Sequence, residues 1–173
     1  MAEPDKIAGI ILAGGRSSRM GQNKALLNYH GKPLIDHMIG QMQQTGVGQV
    51  FISGDLEGYE CLPDRVAFSG PAAAIRDIHH QLSKDWQGLL IIPVDMPFLA
   101  LESLKKLMTY SEGACYESWP LPLYLPSEKQ PGEGDSIRQM ISGMGIKTLI
   151  LSDSSAAGFN NLNTPEEWQK AVE

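Results

Sequence analysis

The chain has 173 residues, 42% of them hydrophobic and 20% charged, with a formal net charge of −6; that is the composition of one ordinary globular domain, able to bury roughly 70% of the surface its unfolded form would expose. The acidic balance excludes the broad basic face of a nucleic-acid-binding protein, and no apolar run approaches the roughly 20 residues of a membrane span. Cys61 and Cys115 alone make neither a disulfide framework nor a metal site, and the start "MAEPDK" lacks the basic and apolar parts of a signal peptide, so a reduced, cytoplasmic protein with no membrane or nucleic-acid partner is expected.

In chain order, the first apolar run, "IAGIILA" (7–13), reads as a strand covered on both faces because it is continuous rather than alternating. It runs straight into "LAGGRSSRMGQNK" (12–24), which concentrates glycines, serines, Arg16, Arg19 and Lys24. Gly14 and Gly15 let backbone N–H groups approach a ligand, and the cations offer charge-assisted hydrogen bonds to phosphate oxygens. The P-loop pattern does not fit, since five residues separate Gly15 from Gly21 and Gln22 follows. A solvated Gly/Ser turn would have the same composition. Its place after the first strand favours an anion site, since ligands of open α/β sheets bind beyond the carboxyl ends of strands.

"PLIDHMIGQMQQT" (33–45) places Leu34, Ile35, Met38, Ile39 and Met42 on one helical stripe behind Pro33. Strand "QVFIS" (49–53) and helix "AAAIRDIHHQL" (72–82) follow, the adjacent His79 and His80 reading as part core and part surface. Strand "LLIIPV" (89–94) delivers Asp95 to the same sheet edge as the glycine loop. A carboxylate facing a phosphate loop is a natural Mg²⁺ ligand, although Asp95 before Pro97 could equally be a turn residue. Helix "LESLKKLMTY" (101–110) precedes a proline-rich segment, Glu112 to Gly134, expected to form an edge hairpin and an exposed loop because proline is poorly tolerated in central strands. A weaker helix "SIRQMISGM", strand "KTLIL" (147–151) and a capping box, Thr164 with Glu167 and Pro165 between them, complete the chain. Strands alternating with helices predict an α/β fold, a mostly parallel sheet between helical layers in one domain over 1–173.

Five stretches, "LAGGRSSRMGQNKALL", "GPAAAI", "PVDMPFL", "PLPLY" and "NLNTPEE", occur in the order seen in the MobA-like nucleotidyltransferases, the molybdenum cofactor guanylyltransferases and their relatives, which the chain resembles from about residue 7 to 170. The resemblance implies a Rossmann-like three-layer α/β/α sandwich of the nucleotide-diphospho-sugar transferase type. It implies transfer of GMP from GTP to the phosphate of molybdopterin, with Mg²⁺ as cofactor and cofactor-handling proteins as possible partners. By motif position Leu12, Ala13, Gly14, Gly15, Ser53, Gly70 and Pro71 would contact the nucleotide, Arg19 and Lys24 its phosphates, and Asp95 both metal and nucleotide. Asn161 and Asn163 would face the metal and the pterin, unless they only cap the last helix. The chain departs from the family pattern at Asn23, where aspartate is usual, at Ala72 and Ala74 in "GPAAA", at Ser53, and in the stretch "LPDRVAFSGP", which offers only Asp64 as a base-contacting acid. These departures keep two alternatives open: a cytidylyltransferase using CTP, or a non-catalytic nucleotide-binding protein.

Overall fold

The structure is a computed structural model that describes residues 3–14, 23–62 and 70–172. Its first strand, β1 (Ile7–Leu12), is buried at all six positions. Successive side chains of a strand point to opposite faces, and here both faces are covered. Ile7 and Ile11 enter one core while Ala8, Ile10 and Leu12 enter the other.

After a two-stranded hairpin, β2 (Asn28–Tyr29) and β3 (Lys32–Pro33), come α1 (Leu34–Gln43), β4 (Gln49–Ser53), β5 (Cys61–Leu62), α2 (Pro71–Leu82), β6 (Gly88–Pro93) and α3 (Leu101–Leu107). The second half contributes β7 (Ala114–Tyr116), β8 (Trp119–Pro126), α4 (Ile137–Ile141), β9 (Lys147–Leu149), α5 (Asp153–Ala156) and α6 (Pro165–Val172). Seven strands form one sheet in the order β5-β4-β1-β6-β8-β7-β9. Every pairing is parallel except those of β8, which runs antiparallel to both β6 and β7.

Helices α1 and α3 cover one face, through Leu34, Ile35, Met38 and Met42 and through Leu104 and Leu107. Helices α2 and α4 cover the other, through Ala72, Ile75, Ile78 and Leu82 and through Ile137 and Met140. The expected three layers, the four apolar strands and the helical stripe behind Pro33 are all present. Within α2, His79 is buried and His80 exposed, and desolvation lowers the His79 pKa.

The proline-rich hairpin departs from expectation. It forms, but β8 lies inside the sheet between β6 and β7 rather than at an edge. The rule against prolines in central strands still holds locally. The doubly paired stretch is Leu123–Tyr124, bonded to Ile91 and Leu90 on one side and to Cys115 and Ala114 on the other, and it runs on through Leu125, paired with Leu89 alone. Pro120 and Pro122 precede it, beside the register shift at Cys115/Tyr116, and Pro126 ends it. The loop beyond is fastened to α2, where the Arg76 guanidinium donates to the carbonyls of Gly134 at 2.8 Å and Gly132 at 3.3 Å.

Helix α1 sits close on β1 because Gly9 has no side chain there: a Cβ would lie 2.5 Å from Met42 Cγ and 3.0 Å from Val47 Cγ2. Gly9→Ala overpacks this contact, which typically costs about 1–3 kcal/mol. For a chain of this size that lowers Tm by about 2–4 °C per kcal/mol. A thermal melt unchanged from the parent would show that the helix shifts without cost.

Candidate active site at the carboxyl edge of the sheet

The site begins where β1 ends between two parallel neighbours. Ala13 N–H donates to Ser53 O at 3.0 Å, and Val94 N–H to Leu12 O at 3.1 Å, so the ladder continues past the strand ends on both sides. The start of the glycine loop, Ala13 and Gly14, is thereby tied to β4 and the chain entering Asp95 is tied to β1. Ser53 is almost wholly buried, 2% exposed, and its carbonyl does the tying. Next to it Gly54, at φ +128°, brings its backbone so near Gly14 that a Cβ would meet Gly14 N at 2.9 Å. Only glycine combines that backbone conformation with that approach.

Lys24 opens a single 3₁₀ turn, Lys24–Leu26, capped by Asn23, whose Oδ1 accepts the Ala25 N–H at 3.1 Å. Asparagine caps as well as aspartate does, so the departure at Asn23 leaves the turn that aims Lys24 intact. Lys24 Nζ reaches Asn163 Oδ1 at 2.7 Å and Asp95 Oδ2 at 3.4 Å. Three sequence-predicted residues from distant parts of the chain therefore meet at one point. The Lys24 and Asp95 side chains are 18% and 20% exposed, shielded yet open to a ligand.

The Asp95 loop is held from two sides. His37 Nε2 hydrogen-bonds Pro97 O at 3.0 Å and the Gln41 amide donates to Leu99 O at 2.6 Å, both from one face of α1. From the other side, Leu162 N–H donates to Asp95 O at 2.9 Å, which ties the Asn161–Asn163 stretch to the backbone of Asp95. The sequence pattern of α1 marks its apolar stripe but gives no sign that His37 and Gln41 serve this loop. Their spacing of four residues, one helical turn, is the only trace.

The capping box read for α6 has a second consequence. Glu167 Oε2 accepts the N–H of Asn163 at 2.7 Å and of Thr164 at 3.0 Å, and its own N–H donates to Thr164 Oγ1 at 3.2 Å. The cap thus fixes the backbone of the residue whose amide oxygen meets Lys24.

Gly70, at φ +88°, and Pro71 start α2, and no described residue lies within 4 Å of where a Gly70 Cβ would stand. Gly15, Arg16 and Arg19 lie outside the described residues, as does Asp64. Among the described residues no group of three histidine, cysteine, aspartate or glutamate side chains could hold a metal ion. Among the described residues, what the site offers a cation is the Asp95 carboxylate, which Lys24 contacts at 3.4 Å. A lone carboxylate suits Mg²⁺, which fills its remaining positions with phosphate oxygens and water, and suits Zn²⁺ poorly.

An open, mainly parallel sheet with flanking helices in this order is the fold of the nucleotidyltransferases of the nucleotide-diphospho-sugar transferase type. The chain superposes on a nucleotidyl transferase from Methanothermobacter thermautotroptrophicus with a TM-score of 0.76 at 14% identity, covering 96% of this chain and 95% of that one. For molybdopterin-guanine dinucleotide biosynthesis protein A from Archaeoglobus fulgidus the TM-score is 0.67 at 19% identity, with 95% and 96% covered. The sequence model of the MobA-like NTP transferase domain matches residues 9–131, and the chain belongs to that family. It is 33% identical over 177 aligned residues to the molybdenum cofactor guanylyltransferase of Xanthomonas euvesicatoria pv. vesicatoria, covering 95% of this chain and 93% of that protein.

The Glu167 carboxyl is held below its ordinary pKa of 4.5, first by the backbone N–H of Asn163 and then by that of Thr164. These bonds stabilise the charged form, so the cap they make is complete above pH 4.5 and is lost as pH falls through the lower folded value. In an NMR titration the amide protons of Asn163 and Thr164 should shift together with a midpoint under 4.5. Glu167→Ala should abolish that transition. A midpoint at or above 4.5, or one that persists in the variant, would remove Glu167 from this role.

Proposed function

We propose that the protein transfers GMP from GTP to the phosphate of molybdopterin, releasing pyrophosphate and forming the guanine dinucleotide form of the molybdenum cofactor. The observation that carries this reading is the meeting of Lys24, Asp95 and Asn163 at the carboxyl ends of β1 and β6. The guanylyltransferase names of the curated relatives support guanine over cytosine as the transferred base. The intact turn around Asn23 and the converging side chains weigh against a non-catalytic relative.

A phosphate monoester is a competent nucleophile near neutral pH, so the reaction needs no side-chain base. One of its oxygens attacks the α-phosphorus of GTP. The bond from that phosphorus to the β-phosphate bridging oxygen breaks, and the electron pair leaves with pyrophosphate. Catalysis is then positioning and charge neutralisation. Lys24 supplies N–H donors to the phosphates, exchanging the neutral amide oxygen of Asn163 for a charged one, and charge-assisted bonds are the stronger. The backbone of Leu12, Ala13 and Gly14 receives the nucleotide; Gly15 and Arg19 continue the same motif, Ser53 ends β4, and Gly70 and Pro71 open α2. Asn161 and Asn163 face the acceptor.

Asp95 would hold Mg²⁺, which when bound neutralises charge on the triphosphate and the departing pyrophosphate. Two unpaired thiols and a GTP substrate fit the cytoplasm. No described helix is long and apolar enough to cross a membrane, and the acidic chain favours neither membrane nor nucleic acid as a partner. Cofactor-handling proteins that deliver or accept the pterin are the expected ones.

The direct test is pyrophosphate release from GTP, CTP, ATP or UTP with molybdopterin, with and without Mg²⁺. GTP should be preferred and chelation of Mg²⁺ should stop turnover; equal turnover in the chelator would remove the metal from the scheme. Asp95→Ala should reduce kcat by about 10²–10³-fold, the usual effect of deleting one electrostatic stabiliser, with an unchanged melting curve. Lys24→Ala should weaken GTP binding far more than guanosine binding. Equal loss for both would make Lys24 structural.

A further inference from the structure

A cleft of about 510 Å³ opens beside Asn163, on the β8 side of the Lys24–Asp95 contact. Its walls are Phe98 from the loop after β6, Trp119 at the start of β8, the Asn161–Asn163 stretch and the face of α6 that carries Glu167 and Lys170. Pockets of this size hold small organic ligands, and it is far larger than a phosphate needs.

Three of its groups are unspent by folding. Phe98 is 43% exposed, one of few large apolar side chains so open. Asn161 Oδ1 is buried without a hydrogen-bond partner among the described residues, a state native proteins rarely leave unresolved. Lys170 has no hydrogen bond or ion pair to any described residue, while the Glu167 carboxylate across one helical turn is committed to backbone N–H groups. An aromatic wall, an acceptor without a donor and an uncompensated cation together match one chemistry: a planar, N–H-bearing heterocycle with net negative charge.

The nucleotide base and the acceptor both have flat rings, and topology separates them. Ala13, Gly14, Ser53 and Gly54 lie at or toward β4, on one side of β1. The cleft lies toward β8, beyond β6, and Asn163 belongs both to it and to the Lys24 contact. A molecule seated there reaches Lys24 with one end. Resting on the transfer reaction proposed above, we infer that Trp119 and Lys170 determine acceptor specificity. Trp119, with Phe98, packs against the acceptor's ring system, Asn161 Oδ1 accepts a ring N–H, and Lys170 faces the negative charge of its phosphate.

The test is calorimetric titration of the full chain with three probes: a pterin bearing a side-chain phosphate monoester, the same pterin without phosphate, and GTP with Mg²⁺. Lys170→Glu should weaken the pterin phosphate by about tenfold or more. Trp119→Ala should weaken both pterins by about fivefold or more, the scale of ring stacking on an aromatic side chain, and Trp119→Phe should restore most of that loss. GTP affinity should stay within about twofold throughout, since the sites do not share these residues. Lys170 is on the exposed face of α6, so its substitution leaves the core intact even if Trp119→Ala, which removes a contact with Phe159 at 5.9 Å, disturbs it. Unchanged pterin binding in Lys170→Glu, absence of pterin binding in the parent, or equal loss of GTP binding overturns the inference. The transfer reaction is judged separately. Pyrophosphate release by the parent with acceptor KM unaltered in Lys170→Glu sinks only the inference, whereas pterin binding as expected without any release sinks only the reaction.

Discussion

Two backbone hydrogen bonds, Ala13 N–H to Ser53 O and Val94 N–H to Leu12 O, extend the parallel ladder beyond the last residue of β1 on both sides. A strand with parallel neighbours on both edges ends where they end, so the three chains leave the sheet together and must diverge. Their exits form the crevice, and anything the exits carry is held within reach of the rest. The glycine loop leaves β1, Gly54 leaves β4, and Asp95 leaves β6. That pairing in turn depends on a strand apolar on both faces, with Ile7 and Ile11 on one side and Ala8, Ile10 and Leu12 on the other.

Much of this was legible because the physics is local or periodic. The continuous runs at 7–13, 49–53 and 89–94 declare strands buried on both faces, and the carboxyl edge then follows from parallel connectivity. The three candidates Lys24, Asp95 and Asn163 were legible from their motifs, and the structure brings them together. Less was legible where order depends on partners far away in the chain. Nothing in "PLPLY" tells that β8 enters the sheet interior, because what permits it is the position of its prolines outside the doubly paired stretch. Nor do His37 and Gln41 look different from any polar residues on an amphipathic helix until Pro97 O and Leu99 O are found beside them. Glu167 was readable as a cap, but its bond to Asn163 N–H, which ties that cap to the site, was not.

The Lys24–Asp95 pair contributes little as a salt bridge: the two groups are partly exposed and 3.4 Å apart, and such pairs are commonly worth about 1 kcal/mol or less. Its meaning is positional. A long lysine side chain is costly to order, and most of that cost is met before ligand arrives if Nζ is already held by Asn163 Oδ1 at 2.7 Å. Asn163 is in turn held by Glu167 and by the Leu162–Asp95 backbone bond. A neutral amide is the right placeholder, because it orients the cation and still yields to a charged phosphate oxygen. A carboxylate at position 163 would compete with the substrate instead.

The same arrangement explains why departures from the family pattern on one flank need not reach the other. Ser53, Ala72 and Ala74 lie with β4 and α2, whereas Trp119, Asn161 and Lys170 lie beyond β6 with β8 and α6. Between Ser53 and Trp119 stand the Asp95 loop and Lys24, fixed by their own hydrogen bonds to α1 and to the Asn161–Asn163 stretch. Sites without shared partners behave additively, so the base side can change its contacts without moving the acceptor side. A constraint that does cross the sheet is the level at which β1 and β6 end. Shortening either strand would withdraw Ala13 or Asp95 from the crevice, and no side-chain substitution on either flank could replace that alignment.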